Sequence, residues 1–174
     1  MTKVRKKNRL DKFHYNSGYF FVTINTKDNK KIFGEVIKDE MVLNEYGKVV
    51  EKYLLRISEI YADSYVWNFV IMPNHIHTIL ILDNLNTSFV GEDSIFPNNK
   101  NGSLLSSPTN KVSKIVKGFK QITWKVIRNE MWLKTFQRQK SFYDHIIRNE
   151  EDINRIVEYI QFNPYKREND EYYI

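Results

Sequence analysis

The chain has 174 residues, 41% of them hydrophobic and 14% aromatic, with a formal net charge of +6. That composition excludes a disordered tail and implies one globular domain spanning 1–174; its positive charge favours a polyanionic partner, nucleic acid before an anionic membrane surface. The absence of cysteine excludes disulfides, thiolate metal sites and cysteine nucleophiles.

The first stretch, about 1–14, is a basic arm in which Arg5, Lys6 and Lys7 are candidates for phosphate contact. No apolar run follows it, and no stretch approaches the roughly 20 apolar residues of a membrane span. The expectation is a cytoplasmic, nucleoid-associated protein with no membrane partner. Tyr19 to Thr26 is dense in aromatic and β-branched residues and predicts a strand. Lys27 to Lys30 is a polar turn. Ile32–Ile37 and Met41–Leu43 predict a short hairpin at the sheet edge. Asn44 can cap a helix whose apolar residues, Tyr46, Val49, Val50, Tyr53, Leu54, Ile57 and Ile60, recur at helical spacing.

Trp67 to Leu82 predicts a second hairpin, turning at Met72-Pro73-Asn74. Residues 83–110, rich in Asn, Ser, Gly and Pro, predict a long loop excursion within the domain. Lys111 to Arg128 predicts an amphipathic helix, with Lys111, Lys114, Lys117, Lys125 and Arg128 opposite its apolar face. Like charges along one face cost stability that a phosphate backbone offsets, so this face is a candidate DNA surface. Thr135 to Lys140 predicts a short basic strand that adds Arg138 to the set, and Phe142 to Arg148 a short helix or turn. Asn149 can cap a last helix, with Glu150, Glu151 and Asp152 in its first turn, ended by Pro164 after Asn163. The residues from Lys166 onward, mixed in charge, read as peripheral.

Two features carry chemistry. His75 and His77 are spaced i, i+2 on a predicted strand, so both side chains share a face, with Cα atoms roughly 6.6 Å apart. Two imidazoles so placed can converge on one metal ion. On the last helix Tyr159 and Asn163 are spaced i, i+4 and flank the apolar stripe. A tyrosine hydroxyl beside a metal-bound phosphate is a candidate nucleophile, though its usual pKa of about 10 makes it weak unless the site helps it.

Met72-Pro73-Asn74-His75-Ile76-His77, followed by Val157-Glu158-Tyr159-Ile160-Gln161-Phe162-Asn163-Pro164, resembles the REP-associated tyrosine transposases, single-tyrosine members of the HUH endonuclease superfamily. The resemblance runs from about Tyr19 to Lys166 and includes Phe20 to Asn25 and Phe142 to Asn149. It implies an α+β, ferredoxin-like fold with helices packed on an antiparallel sheet. It implies that His75 and His77 hold Mg²⁺ or Mn²⁺ and that Tyr159 is the catalytic tyrosine. Asn163 matches a polar residue that completes the metal site. The implied activity cleaves and rejoins single-stranded DNA at hairpin-forming repeats through a 5′-phosphotyrosine. Relatives include monomers and dimers, so a homodimer is one expectation. A non-catalytic, domesticated hairpin-binding module and a replication initiator or relaxase of the same superfamily are the competing expectations. A metal-dependent phosphoesterase that activates water is a further one.

Overall fold

The computed structural model describes residues 18–82, 111–137 and 139–172; the basic arm and the 83–110 excursion lie outside the described residues. Four strands, β1 (Gly18–Asn25), β4 (Ser64–Ile71), β5 (His75–Leu82) and β6 (Tyr143–Ile147), form one antiparallel sheet in the order β4-β5-β1-β6. Strand β4 carries a bulge at Trp67, between Val66 and Asn68.

Alternation along β1 and β5 sends side chains to two separate cores. Phe20, Val22, Ile24, Ile76, Leu80 and Leu82 join a cluster with α1 (Glu45–Leu55), α2 (Ile57–Ile60) and α3 (Lys111–Lys125). Ile79, Ile81 and Ile147 join the other, with Ile156 and Ile160 of α4 (Glu150–Phe162). All eight residues of β5 are buried because helices cover both faces. His75 and His77 therefore stand on the α4 face of a strand whose slip by one residue would carry both imidazoles into the apolar core on the other face.

Both predicted caps form. Tyr46 and Gly47 N–H donate to Asn44 Oδ1 at 3.0 Å each, and Asp152 N–H donates to Asn149 Oδ1 at 2.7 Å. Asn149→Ala should lower unfolding stability by about 1 kcal/mol. Chemical denaturation would measure it, and an unchanged midpoint would mean that the cap is redundant with the acidic first turn.

Four expectations are corrected. The hairpin of β2 (Gly34–Ile37) and β3 (Glu40–Leu43) is a separate two-stranded sheet, not an edge of the main one. The Phe142–Arg148 segment is strand β6, not a helix or turn, with Tyr19 to Thr23 paired against Ile147 to Tyr143. Among the described residues of 135–140 there is no strand; the segment is anchored by Phe136, buried against Phe33 with ring centroids 6.4 Å apart. The chain beyond Lys166 is not peripheral: Arg167–Asn169 form a 3₁₀ turn and Asp170 is buried.

Candidate active site

The register across the sheet brings together side chains far apart in sequence. Thr23 pairs with His77 on one side and Tyr143 on the other, and Phe21 pairs with Ile79 and His145. All six face α4, which presents Tyr159 to them. The rings of Phe21 and His77 stack at 5.3 Å, and Tyr159 stands edge-on to His77 at 5.0 Å.

Past the end of α4, Pro164 and the following turn bring Asp170 back onto β5. Its Oδ2 lies 2.9 Å from His75 Nε2 and 3.4 Å from His77 Nε2. The three residues are buried, and their ligand atoms lie within 4.8 Å of one another. Asn163 Nδ2 donates to Asp170 Oδ2 at 2.8 Å, and Tyr172 N–H donates to Oδ1 at 3.0 Å. Tyr172 covers the pair, its ring centroid 5.7 Å from that of His75 and 5.8 Å from that of His77.

The hydrogen bonds on the far sides of both imidazoles decide what their near sides offer. Asn74 Nδ2 donates to the Tyr172 carbonyl at 2.7 Å, which orients its amide and turns Oδ1 to His75 Nδ1, also at 2.7 Å. An amide oxygen only accepts, so Nδ1 carries the proton and Nε2 of the neutral ring presents a lone pair. That lone pair faces a carboxylate oxygen 2.9 Å away, without a hydrogen-bonding alignment. Only a proton or a metal cation reconciles the two. His77 is also held on both sides: its Nδ1 lies 2.9 Å from Thr23 Oγ1, and its Nε2 lies 3.2 Å from the Tyr159 hydroxyl and 3.4 Å from Asp170 Oδ2. Buried metal-binding histidines have their outer nitrogens held in this way. Asn163 Oδ1 is a further buried acceptor with no hydrogen-bond partner.

Electrostatics agree with this assignment. Burial holds the His77 pKa below the ordinary imidazole value, against the pull of Asp170, which keeps the ring neutral. Burial opposes ionisation of Asp170, but its contacts with His75 and His77 outweigh it and hold the carboxyl well below its usual range. Two buried imidazoles and a carboxylate, with ligand atoms this close, form a donor set for a metal cation. The His75-His77-Asp170 group can therefore bind a metal. Burial first, then the Asp170 carboxylate, push the Tyr159 hydroxyl above its ordinary pKa.

The sequence anticipates His75, His77, Tyr159 and Asn163, and the structure brings all four together. It does not anticipate Asp170, which sits among Glu168, Asn169 and Glu171 with nothing to distinguish it. Thr23 has a usable signal: it is a polar residue inside the apolar run from Phe20 to Ile24. The proposed phosphate contacts stand elsewhere. Lys114, Lys117 and Lys125 are exposed on α3, Lys111 is paired with Asp63 at 2.7 Å, and the Arg128 guanidinium lies over Trp124. A sixth cation of that helix, Lys120, is buried and donates to the Ser141 carbonyl at 2.9 Å. Arg5, Lys6, Lys7 and Arg138 lie outside the described residues. If the α3 face binds single strands, Lys114→Ala with Lys117→Ala should flatten the dependence of log K on log salt by about 0.7 per contact removed. Salt titrations measure this, and an unchanged slope would make the face an ordinary solvated one.

A Haemophilus influenzae protein is 32% identical over 174 residues, covering 98% of this chain and 93% of its own length. The two belong to one family. That relative is itself described only as an uncharacterized protein. No protein-family model matches the chain. Among solved structures, a REP-associated tyrosine transposase bound to a REP hairpin superposes with a TM-score of 0.56 at 18% identity, covering 96% of this chain and 74% of that one. The family thus has the tyrosine transposase fold that the motif resemblance implies. No helix among the described residues is long and apolar enough to cross a membrane.

Proposed function

We propose that this protein is a metal-dependent transposase that cleaves and rejoins single-stranded DNA at hairpin-forming repeats. One observation carries the reading: the Tyr159 hydroxyl lies 3.2 Å from Nε2 of His77, inside the buried His75-His77-Asp170 group. Hairpin binding alone requires neither a buried metal-ligand set nor a hydroxyl held against it. The transposase that shares the fold is bound to a REP hairpin, which supports the same class of DNA here.

His75, His77 and Asp170 would hold Mn²⁺ or Mg²⁺, with Asn163 Oδ1 at the margin of the site. When bound, such an ion supplies Lewis-acid polarisation of a phosphate oxygen. The remaining steps belong to the chain. Helix α4 holds Tyr159 in a fixed direction, with Ile156 and Ile160 locked in the core beside it. The tyrosine oxygen attacks the phosphorus, a Tyr159–phosphate bond forms, and the bond to the 3′-oxygen breaks. The hydroxyl proton leaves to solvent by way of the site, and the 3′-oxygen takes up a proton to become a free hydroxyl. Reversal by the same or another 3′-hydroxyl rejoins the strand, and no nucleotide hydrolysis is needed.

The test is a denaturing gel after incubation with labelled single-stranded hairpins taken from DNA flanking the gene, in Mn²⁺, Mg²⁺ or excess chelator. A protein–DNA band that survives denaturation in metal and is absent in chelator supports the reading. Free cleaved product alone would indicate a phosphoesterase that activates water. Binding without product would indicate a hairpin-binding module. Full activity in chelator would remove the metal from the account.

A further inference from the structure

Beside Tyr159 a cavity of about 460 Å³ opens between α4 and the strands β1 and β6. Its floor is Phe21 and its rim includes Tyr143, His145, Arg155, Glu171 and Tyr172. The hydroxyl of Tyr159 and the ring of His77 close one end. The cavity is thus within reach of a nucleotide next to a phosphate that meets Tyr159.

The wall chemistry selects the part of that nucleotide that enters. The basic side chains of the lining are both engaged: His145 Nε2 lies 2.8 Å from Asp152 Oδ2, and the Arg155 guanidinium bridges to the other oxygen of the same carboxylate. Glu171 adds a further negative charge. Among the described residues the wall thus has no uncommitted positive charge to receive a phosphate. It does have aromatic surface on several sides. Tyr143 is 40% exposed, so its ring is open to a stacking partner. The volume lies within the range of small-ligand pockets and admits one nucleobase.

We propose that this cavity seats the unpaired base of the nucleotide flanking the scissile phosphate, stacked on Tyr143 over the Phe21 floor. Tyr143 is then a specificity residue and not a spacer that seats its segment against the core. The proposal rests on the single-stranded DNA reading, but its test is independent of cleavage. Three probes are compared in excess chelator by chemical-shift perturbation: deoxyadenosine 5′-monophosphate, 2-deoxyribose 5-phosphate and inorganic phosphate. The nucleotide should shift the resonances of Phe21, Tyr143 and His145, and the two base-free probes should not. Tyr143→Ala should weaken nucleotide binding about tenfold, in line with the loss of one base–aromatic stack, and Tyr143→Phe should restore it. Tyr143 is exposed, so both variants should fold. Equal binding of the sugar phosphate would make the cavity an anion site and overturn the proposal. So would a Tyr143→Phe variant as weak as Tyr143→Ala, or no shift at these residues with any probe. A protein that binds the nucleotide but forms no covalent adduct would keep the base site and lose the transesterification reading.

Discussion

Tyr159→Phe should eliminate the covalent protein–DNA band, with a loss of about 10⁴-fold or more, because the nucleophilic oxygen itself is removed. The rest of the site should stand. The substitution deletes one hydrogen bond, the 3.2 Å contact to His77 Nε2, worth about 1 kcal/mol net. The ring keeps its edge-on packing against Phe21, 6.1 Å away, so folding and hairpin binding should be close to unchanged. Freeing His77 Nε2 of its contact with the hydroxyl should leave metal affinity intact or slightly improved. Tyr143→Phe is the control, since Tyr143 lies on the opposite rim of the same cavity. It should still give the adduct. A peptide map that places DNA on Tyr143, or an adduct formed by Tyr159→Phe, would overturn the assignment of the nucleophile.

Asp170→Asn should weaken Mn²⁺ binding by about 100-fold or more and reduce adduct formation correspondingly at limiting metal. The substitution is nearly isosteric. Its amide oxygen, in the place of Oδ1, can still accept from the Tyr172 N–H, and its amide nitrogen, in the place of Oδ2, can donate to the unpartnered Oδ1 of Asn163 once that amide turns over, so the turn that carries it should persist. What is lost is the negative charge that His75 and His77 face. Isothermal titration with Mn²⁺ reads the affinity, and thermal melting without metal reads the fold. A variant that melts lower but binds Mn²⁺ as well as the parent would reduce Asp170 to a structural tie. His75→Ala should behave like Asp170→Asn in the metal titration, since each removes one of three donors.

These two residues differ in how far the sequence reveals them. Tyr159 is legible because α4 is regular: a cap at Asn149, an apolar stripe and a stop at Pro164 fix which side chains share a side. His75 and His77 are legible for the corresponding reason on a strand. Asp170 reaches the site through a turn with no period, and its partners are 93 and 95 positions away, so no local pattern marks it. Strand β6 escapes for a different reason. Tyr143 and His145 face the cavity while Asp144 faces the other way, so the alternation of apolar and polar residues that identifies a half-buried strand is missing. A functional strand loses the pattern by which strands are found.

The return of the chain at Asp170 sets a condition on biosynthesis. A ribosome makes β5, with both histidines, well before Tyr159 and Asp170. A nascent chain that ends before α4 therefore holds neither a complete metal set nor a nucleophile. Products of premature termination before residue 159 should form no covalent adduct with DNA, and those ending between 159 and 170 should carry the tyrosine without the carboxylate. Cutting activity would then be withheld until translation has passed residue 170, a useful delay for a protein whose proposed substrate is DNA.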